Sequence, residues 1–212
     1  MSVSVVRWGI SSTGNVAHDF TRALSYVPGA RVTAVASRAK ERAQAFIDEN
    51  KLSSETVAAF GSNLELAASD AVDIVYIASP HSHHYQHAKE CLEHGKHVLC
   101  EKAFTLTATQ AQALIELARA KGLFLMEAMW MRYLPAIRAL VETHLPRIGE
   151  VVMARADYGF AARKDYERIY ERSLGGGAIL DIGVYTYTLI SLAFRGRSSC
   201  VIDHTFVDRS ID

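Results

Sequence analysis

Three residues have types and spacings suited to taking a proton from a hydroxyl. Lys102 follows the apolar run Lys96–Cys100 and is preceded by Glu101. In an open parallel sheet, ligands bind beyond the carboxyl ends of the strands, where a lysine so placed would stand. Asp181 and Tyr185 are four positions apart, so on a helix they share a face. A tyrosine serves as a base when its pKa falls from about 10 toward neutrality, and a neighbouring ammonium does this by favouring the phenolate. Tyr185 as base, Lys102 as the cation and Asp181 as the orienting carboxylate make a coherent set for oxidising an alcohol. Spacing alone equally allows a solvated Lys102, an Asp181 that caps a helix and a Tyr185 packed as an ordinary aromatic.

Such an oxidation needs a hydride acceptor, and the N-terminal turn offers a place for one. Ser12-Thr13-Gly14-Asn15-Val16-Ala17 joins an apolar run to an amphipathic one, as the dinucleotide fingerprint G-x-G-x-x-G/A does. Gly14 and Ala17 fit its second and third positions, and a helix N-terminus there adds N–H donors for a pyrophosphate. Ser12 replaces the first glycine, so the turn forms without the residue that adopts it at least cost; an ordinary strand-to-helix turn is the competing reading. The next strand ends in Ser37-Arg38, where NAD enzymes carry an acidic residue for the ribose 2′-hydroxyl. A guanidinium suits a 2′-phosphate, which favours NADP over NAD. The alternative is Ser37 as a helix N-cap beside a solvated Arg38.

The stretch Ser79-Pro80-His81-Ser82-His83-His84-Tyr85-Gln86-His87 reads as a histidine-rich loop. His84 and His87 could share a helical face, but no carboxylate or cysteine completes a metal ligand set, so no metal is expected.

These groups need a scaffold that gathers strand ends. Strands are predicted at Val3–Ile10, Arg31–Ala36, Asp73–Ala78, Lys96–Cys100 and Leu123–Met126. Helices are predicted at Asn15–Tyr26, Lys40–Asn50, His84–His94 and Thr107–Lys121. This alternation implies an α/β fold, a doubly wound parallel sheet with helices on both faces and right-handed crossovers. After about Trp130 the pattern changes: a helix at Pro135–His144, a strand at Glu150–Tyr158, the triplet Gly175-Gly176-Gly177, an apolar helix at Leu180–Phe194 and a strand at Cys200–Val207. The expected division is a Rossmann domain over 1–128 and an incomplete α+β open-faced sheet domain over 129–212.

Composition excludes several classes. Of 212 residues, 50% are hydrophobic and 22% charged, enough apolar material for a core. Lys plus Arg (23) balance Asp plus Glu (23), so no net attraction to nucleic acid or anionic lipid is expected. The N-terminus lacks the pattern of a secretory signal, and no apolar run reads as long enough to span a bilayer. Cys91, Cys100 and Cys200 show no paired spacing and read as reduced thiols of a cytoplasmic protein.

Four ordered blocks carry a family resemblance: Trp8-Gly9-Ile10 leading into Ser12-Thr13-Gly14, Val98-Leu99-Cys100-Glu101-Lys102, Phe124-Leu125-Met126-Glu127-Ala128-Met129-Trp130, and Gly176-Gly177-Ala178-Ile179-Leu180-Asp181-Ile182-Gly183-Val184-Tyr185. Together they resemble the glucose–fructose oxidoreductase, inositol dehydrogenase and rhizopine-catabolism (Gfo/Idh/MocA) family over nearly the whole chain. Within it the nearest likeness is to dimeric dihydrodiol dehydrogenases and NADP-dependent D-xylose dehydrogenases. The resemblance implies a Rossmann domain followed by an open-faced sheet domain, with Lys102, Asp181 and Tyr185 as catalytic residues. It further implies cofactor contacts from Ser12, Thr13, Gly14, Asn15, Val16, Ser37, Arg38, Ser79, Pro80, His81, His84, Glu101, Lys102, Trp130 and Arg132. It implies NADP as cofactor, a sugar or trans-diol as substrate, and a homodimer for the full-length form. Ala103 departs from the proline common in the family, and the family continues well past residue 212. A dinucleotide-binding module without catalysis therefore stays open, as does a sugar-binding protein that reuses the fold.

Overall fold

Strands whose successive side chains enter opposite cores need helices on both faces, and the chain supplies them. The computed structural model describes residues 5–163 and 165–194. In chain order the elements are β1 (Val6–Ser11), α1 (Asn15–Leu24), β2 (Ala30–Ala36), α2 (Lys40–Glu49), β3 (Ala58–Phe60), α3 (Asn63–Ala68) and β4 (Ile74–Ile77). There follow α4 (His81–Glu93), β5 (His97–Cys100), α5 (Ala108–Lys121), β6 (Leu125–Glu127), α6 (Pro135–Ala139), α7 (Glu167–Tyr170) and α8 (Val184–Ala193). The described residues fall into two compact units, one running to Met129 and taking in Phe160–Asp181, the other made of Trp130–Gly159 and residues from Ile182 on.

In the first unit the six strands are all parallel, in the order β3-β2-β1-β4-β5-β6. Connections run one way from β1 to β3 and the other way from β4 to β6, so the order reverses between β1 and β4. That reversal opens a crevice at the carboxyl ends of the strands. Alternate residues of each strand face opposite sides. Ala34, Ala36, Val75, Ile77, Val98 and Cys100 join one buried cluster with Leu66 of α3, Leu92 of α4 and Leu114 of α5. Ile10, Val35, Tyr76 and Leu99 join the other with Ala17 of α1 and Phe46 of α2. Gly9 is needed where α3 crosses β1, because a Cβ there would lie 3.0 Å from both Leu66 and Val72 side chains. Cys91 and Cys100 are buried free thiols.

Several expectations are corrected. The three-residue β3 and the six-residue α3 had not been predicted; both are too short to show a period. The histidine-rich stretch is not a loop: α4 begins at His81, directly after Pro80. The helix predicted at Pro135–His144 is α-helical only to Ala139 and then widens into a π-turn over Leu140–His144. Residues 151–160 form no strand. Alternation prepares a segment for a sheet, but a strand exists only when its N–H and C=O groups meet a partner's, and no described segment pairs with it. The predicted strand Cys200–Val207 lies outside the described residues, as do Val3 and Ser4. Finally, the stretch Arg172–Ala193 passes a length-and-composition criterion for a membrane span that the sequence reading did not expect, though Gly175 and Gly177, both at positive φ, interrupt it. It contains Asp181, however, a carboxylate ion-paired with two cations.

Candidate functional site

At the crevice the carboxyl ends of β1, β2 and β4 border a cleft of about 770 Å³. Ser12, Thr13 and Gly14 form one wall, Ser37 and Arg38 a second, Ser79 and Pro80 a third. The sequence prediction had named all seven. Ser12 has φ +85, the left-handed backbone that the fingerprint assigns to glycine and that costs other residues about 1–2 kcal/mol. Gly14 is the N-cap of α1, with φ −82 and no side-chain cap. A Cβ there would meet no protein atom within 4 Å. Neither backbone angle nor packing among the described residues demands glycine at 14, whereas a ligand lying against the turn would. Asn15 and Val16 are the first two residues of α1 and are exposed, which points helix N–H groups outward.

Ser37 does not cap a helix. Its hydroxyl lies 3.2 Å from that of Thr13, joining the ends of β1 and β2, and the N-cap of α2 is Ala39. Arg38 is exposed, and so is Arg42, which the sequence reading missed and which lines the same cleft. Among the described cleft residues there are three guanidiniums, Arg38, Arg42 and Arg168, and one carboxylate, Glu167. The cleft is thus cationic in a chain of zero net charge. Among the described residues, two buried polar atoms in its lining, Ser79 Oγ and His87 Nδ1, have no hydrogen-bond partner. Buried polar groups are seldom left so, which fits a wall completed by a polar ligand. The residues present therefore suit a dinucleotide.

Lys102 stands just past β5 and is not solvated. Its Nζ donates to the Asp181 backbone oxygen at 2.6 Å and to Asp181 Oδ1 at 3.0 Å. The two side chains are 13% and 6% exposed. Arg168 Nη1 donates to the same Oδ1 at 2.7 Å. Burial pushes the Asp181 carboxyl up, but the hydrogen bonds from Arg168 and Lys102 outweigh it and hold the group below the usual carboxylate range. Asp181 is therefore a buried anion between two cations, not a helix cap.

The backbone on either side of Lys102 is clamped. His81 ring nitrogens face Gly175 O at 3.0 Å and Lys102 O at 3.2 Å. Those of His84 face Ser79 O at 2.7 Å and Ala103 O at 2.8 Å. Burial lowers both imidazoles from their ordinary value, His84 to about 4. The Lys102–Ala103 peptide is cis. Glu101 is similarly engaged: Tyr76 Oη donates to its Oε1 at 2.7 Å and the Lys102 N–H to its Oε2 at 3.3 Å. His81, His84 and Glu101, named from the resemblance as cofactor contacts, thus brace the lysine segment.

The glycine triplet lets the chain close on this segment. Gly175 has φ +75, and a Cβ there would lie 2.7 Å from a Leu106 methyl and 2.9 Å from His81 Cβ. A Cβ at Gly176 would lie 2.6 Å from Ile169 O and 2.8 Å from Glu171 O, both backbone atoms that cannot turn aside. Gly176→Ala is expected to lower stability by about 1–3 kcal/mol, read as a fall in unfolding midpoint; an unchanged midpoint would show that the close approach at Gly176 does not constrain the fold.

Tyr185, Trp130 and Arg132 belong to the second unit. Trp130 Nε1 donates to Tyr185 Oη at 2.9 Å, and the Tyr185 ring meets those of Trp130 and Tyr158 edge-on at 5.8 Å. Trp130 is 54% exposed, so it is no core tryptophan, and Arg132 is exposed on a 3₁₀ turn.

Comparison with known proteins agrees with this scaffold. Residues 6–129 match the oxidoreductase family with an NAD-binding Rossmann fold, and residues 136–207 match the GFO/IDH/MocA C-terminal domain. The D-xylose 1-dehydrogenase (NADP(+)) of Hypocrea jecorina is 41% identical, over 87% of this chain and 52% of that protein. The trans-1,2-dihydrobenzene-1,2-diol dehydrogenase of Xenopus tropicalis is 39% identical, over 90% of this chain and 57% of that protein. A 3-ketoreductase from Actinomadura kijaniata, solved with NADP and TDP-benzene, superposes with a TM-score of 0.75 at 32% identity, over 86% of this chain and 55% of the other. The chain spans about half the length of the curated relatives it matches. With both family domains matched in order and these identities across most of its length, the chain belongs to the Gfo/Idh/MocA oxidoreductase family.

Proposed function

We propose an NADP-dependent oxidoreductase that moves hydride between a nicotinamide and a secondary alcohol or sugar hydroxyl, with an aldose such as D-xylose or a trans-dihydrodiol as the substrate class. The observation that carries this reading is the Lys102–Asp181 pair, buried just beyond the sheet that also forms a cationic cleft. When bound, the nicotinamide supplies the hydride acceptor. In this reading Ser12, Thr13 and Gly14, with the first turn of α1, hold the pyrophosphate, and Ser37, Arg38 and Arg42 hold the 2′-phosphate. Tyr185 takes the hydroxyl proton as a phenolate, Trp130 donates to its oxygen, and the Lys102 ammonium lowers the cost of the phenolate. Asp181 fixes that ammonium.

The test is a fluorescence titration with NADPH and NADH, joined to an absorbance screen for NADP⁺ reduction by aldoses and diols. Binding that favours NADPH, with reduction on D-xylose or a trans-dihydrodiol, is expected. Failure to bind either dinucleotide removes the reading altogether. Binding without turnover on any aldose, diol or deoxy-sugar ketone would overturn the hydride-transfer reading and leave a dinucleotide-binding module without catalysis.

A further inference from the structure

Arg168 touches both halves of the first unit's chemistry. It stands on α7, in the stretch that returns to the first unit after the excursion through residues 130–159. Its Nη1 holds the Asp181 oxygen that also takes the Lys102 ammonium. The same side chain forms part of the cleft wall and is 53% exposed. A guanidinium has five N–H donors; among the described residues Arg168 makes no hydrogen bond beyond that to Asp181. Lys102 alone would neutralise the buried carboxylate. The second cation leaves the cluster with a net positive charge, and the surplus lies at the cleft wall on a group whose planar fork suits a phosphate.

Position decides which phosphate. Arg168 is anchored on the Asp181 oxygen that also takes Lys102, which stands just past β5. Ser37 and Arg38 follow β2, and β1 and β4 lie between. Three inter-strand spacings amount to about 14 Å, so the anchored end of Arg168 belongs away from the 2′-phosphate. We propose that Arg168 binds the pyrophosphate of the dinucleotide while anchored on Asp181, so that one residue joins the cofactor to the carboxylate that positions Lys102. This rests on the dinucleotide reading given above.

The test measures affinity, not turnover. NADPH and NADH fluorescence titrations are run on the parent chain, Arg168→Met, Arg168→Lys, Asp181→Asn and the double variant Arg168→Met/Asp181→Asn, with unfolding midpoints recorded for each. Arg168→Met is expected to weaken both dinucleotides by the same factor, about tenfold, and to flatten the dependence of affinity on salt. Arg168→Lys is expected to recover most of the loss. Asp181→Asn is expected to weaken binding by loosening the anchor, with the double variant no worse than Arg168→Met alone. If Arg168→Met is poorly folded, Arg168→Gln takes its place in the series. Unchanged affinity for both dinucleotides overturns the proposal. A loss confined to NADPH overturns the pyrophosphate assignment, and additive losses in the double variant overturn the anchoring. Should the parent chain bind neither dinucleotide, it is the dinucleotide reading that fails, a result distinct from all of these.

Discussion

Lys102→Met is expected to lower turnover on an aldose or diol by a factor of about 10³, within the range by which a positioned acid–base system contributes, while NADPH affinity stays within about threefold of the parent. Methionine keeps most of the apolar stem and removes the charge. The lost ammonium is the one that donates to Asp181 O and Oδ1 at 2.6 and 3.0 Å, and in the proposed mechanism it brings the Tyr185 phenolate within reach near neutral pH. Breaking a buried ion pair commonly costs about 3–5 kcal/mol because a bare charge remains. Here Arg168 still holds the same oxygen at 2.7 Å, so the loss should fall well below that range and the variant should fold. The His81 and His84 rings lie against the carbonyl oxygens of residues 102 and 103, contacts that do not depend on the side chain removed. Steady-state kinetics beside an NADPH titration separate the two effects. Turnover within tenfold of the parent would mean that the lysine is structural.

The sheet was legible in the sequence because its signal is local. Ile74–Ile77 and His97–Cys100 are short buried strands flanked by amphipathic helices, and strands separated by helices can pair in parallel only through such crossovers. What failed was whatever depends on a partner. Residues 150–158 alternate as a strand would, yet alternation says nothing of whether another strand lies alongside. At Pro80 the error ran the other way. Proline tolerates the position before a helix and histidine has no strong preference, so the start of α4 at His81 left little local trace.

The same distinction divides the site. Gly14, Ser37 and Arg38 were legible as candidates because a turn and a strand end are local features. Lys102 and Asp181 were named as candidates from chemistry and family likeness, and the contact between them spans 79 positions. Arg168 carried no signal: its partner lies 13 positions away across three glycines, at no helical or strand spacing. The backbone partners of His81 and His84 were missed for a related reason. A cluster of imidazoles suggests ligands or cofactor contacts, whereas four backbone carbonyls surround these rings, and backbone carbonyls leave no mark in a sequence.

Replacing both Arg38 and Arg42 with Ala is expected to weaken NADPH binding about a hundredfold, as loss of two charge-assisted phosphate contacts implies, and to leave NADH binding nearly unchanged. Arg38 follows the end of β2 and Arg42 lies in the first turn of α2; both are exposed and line the cleft. Among the described residues neither has an ion-pair partner, so the unliganded protein gains little from their charge and should lose little stability without it. The 2′-phosphate is the only group that NADPH has and NADH lacks. Its interaction with two solvent-facing cations is screened by salt, with a Debye length of about 10 Å at 0.1 M. The ratio of NADPH to NADH affinity in the parent should therefore fall as salt rises, and in the double variant it should stay flat. Fluorescence titrations at two ionic strengths read both. If the variant keeps the parent's ratio, the 2′-phosphate is held elsewhere and the end of β2 has no part in choosing the cofactor. If NADH weakens as much as NADPH, the two arginines serve the pyrophosphate, in competition with the place assigned to Arg168.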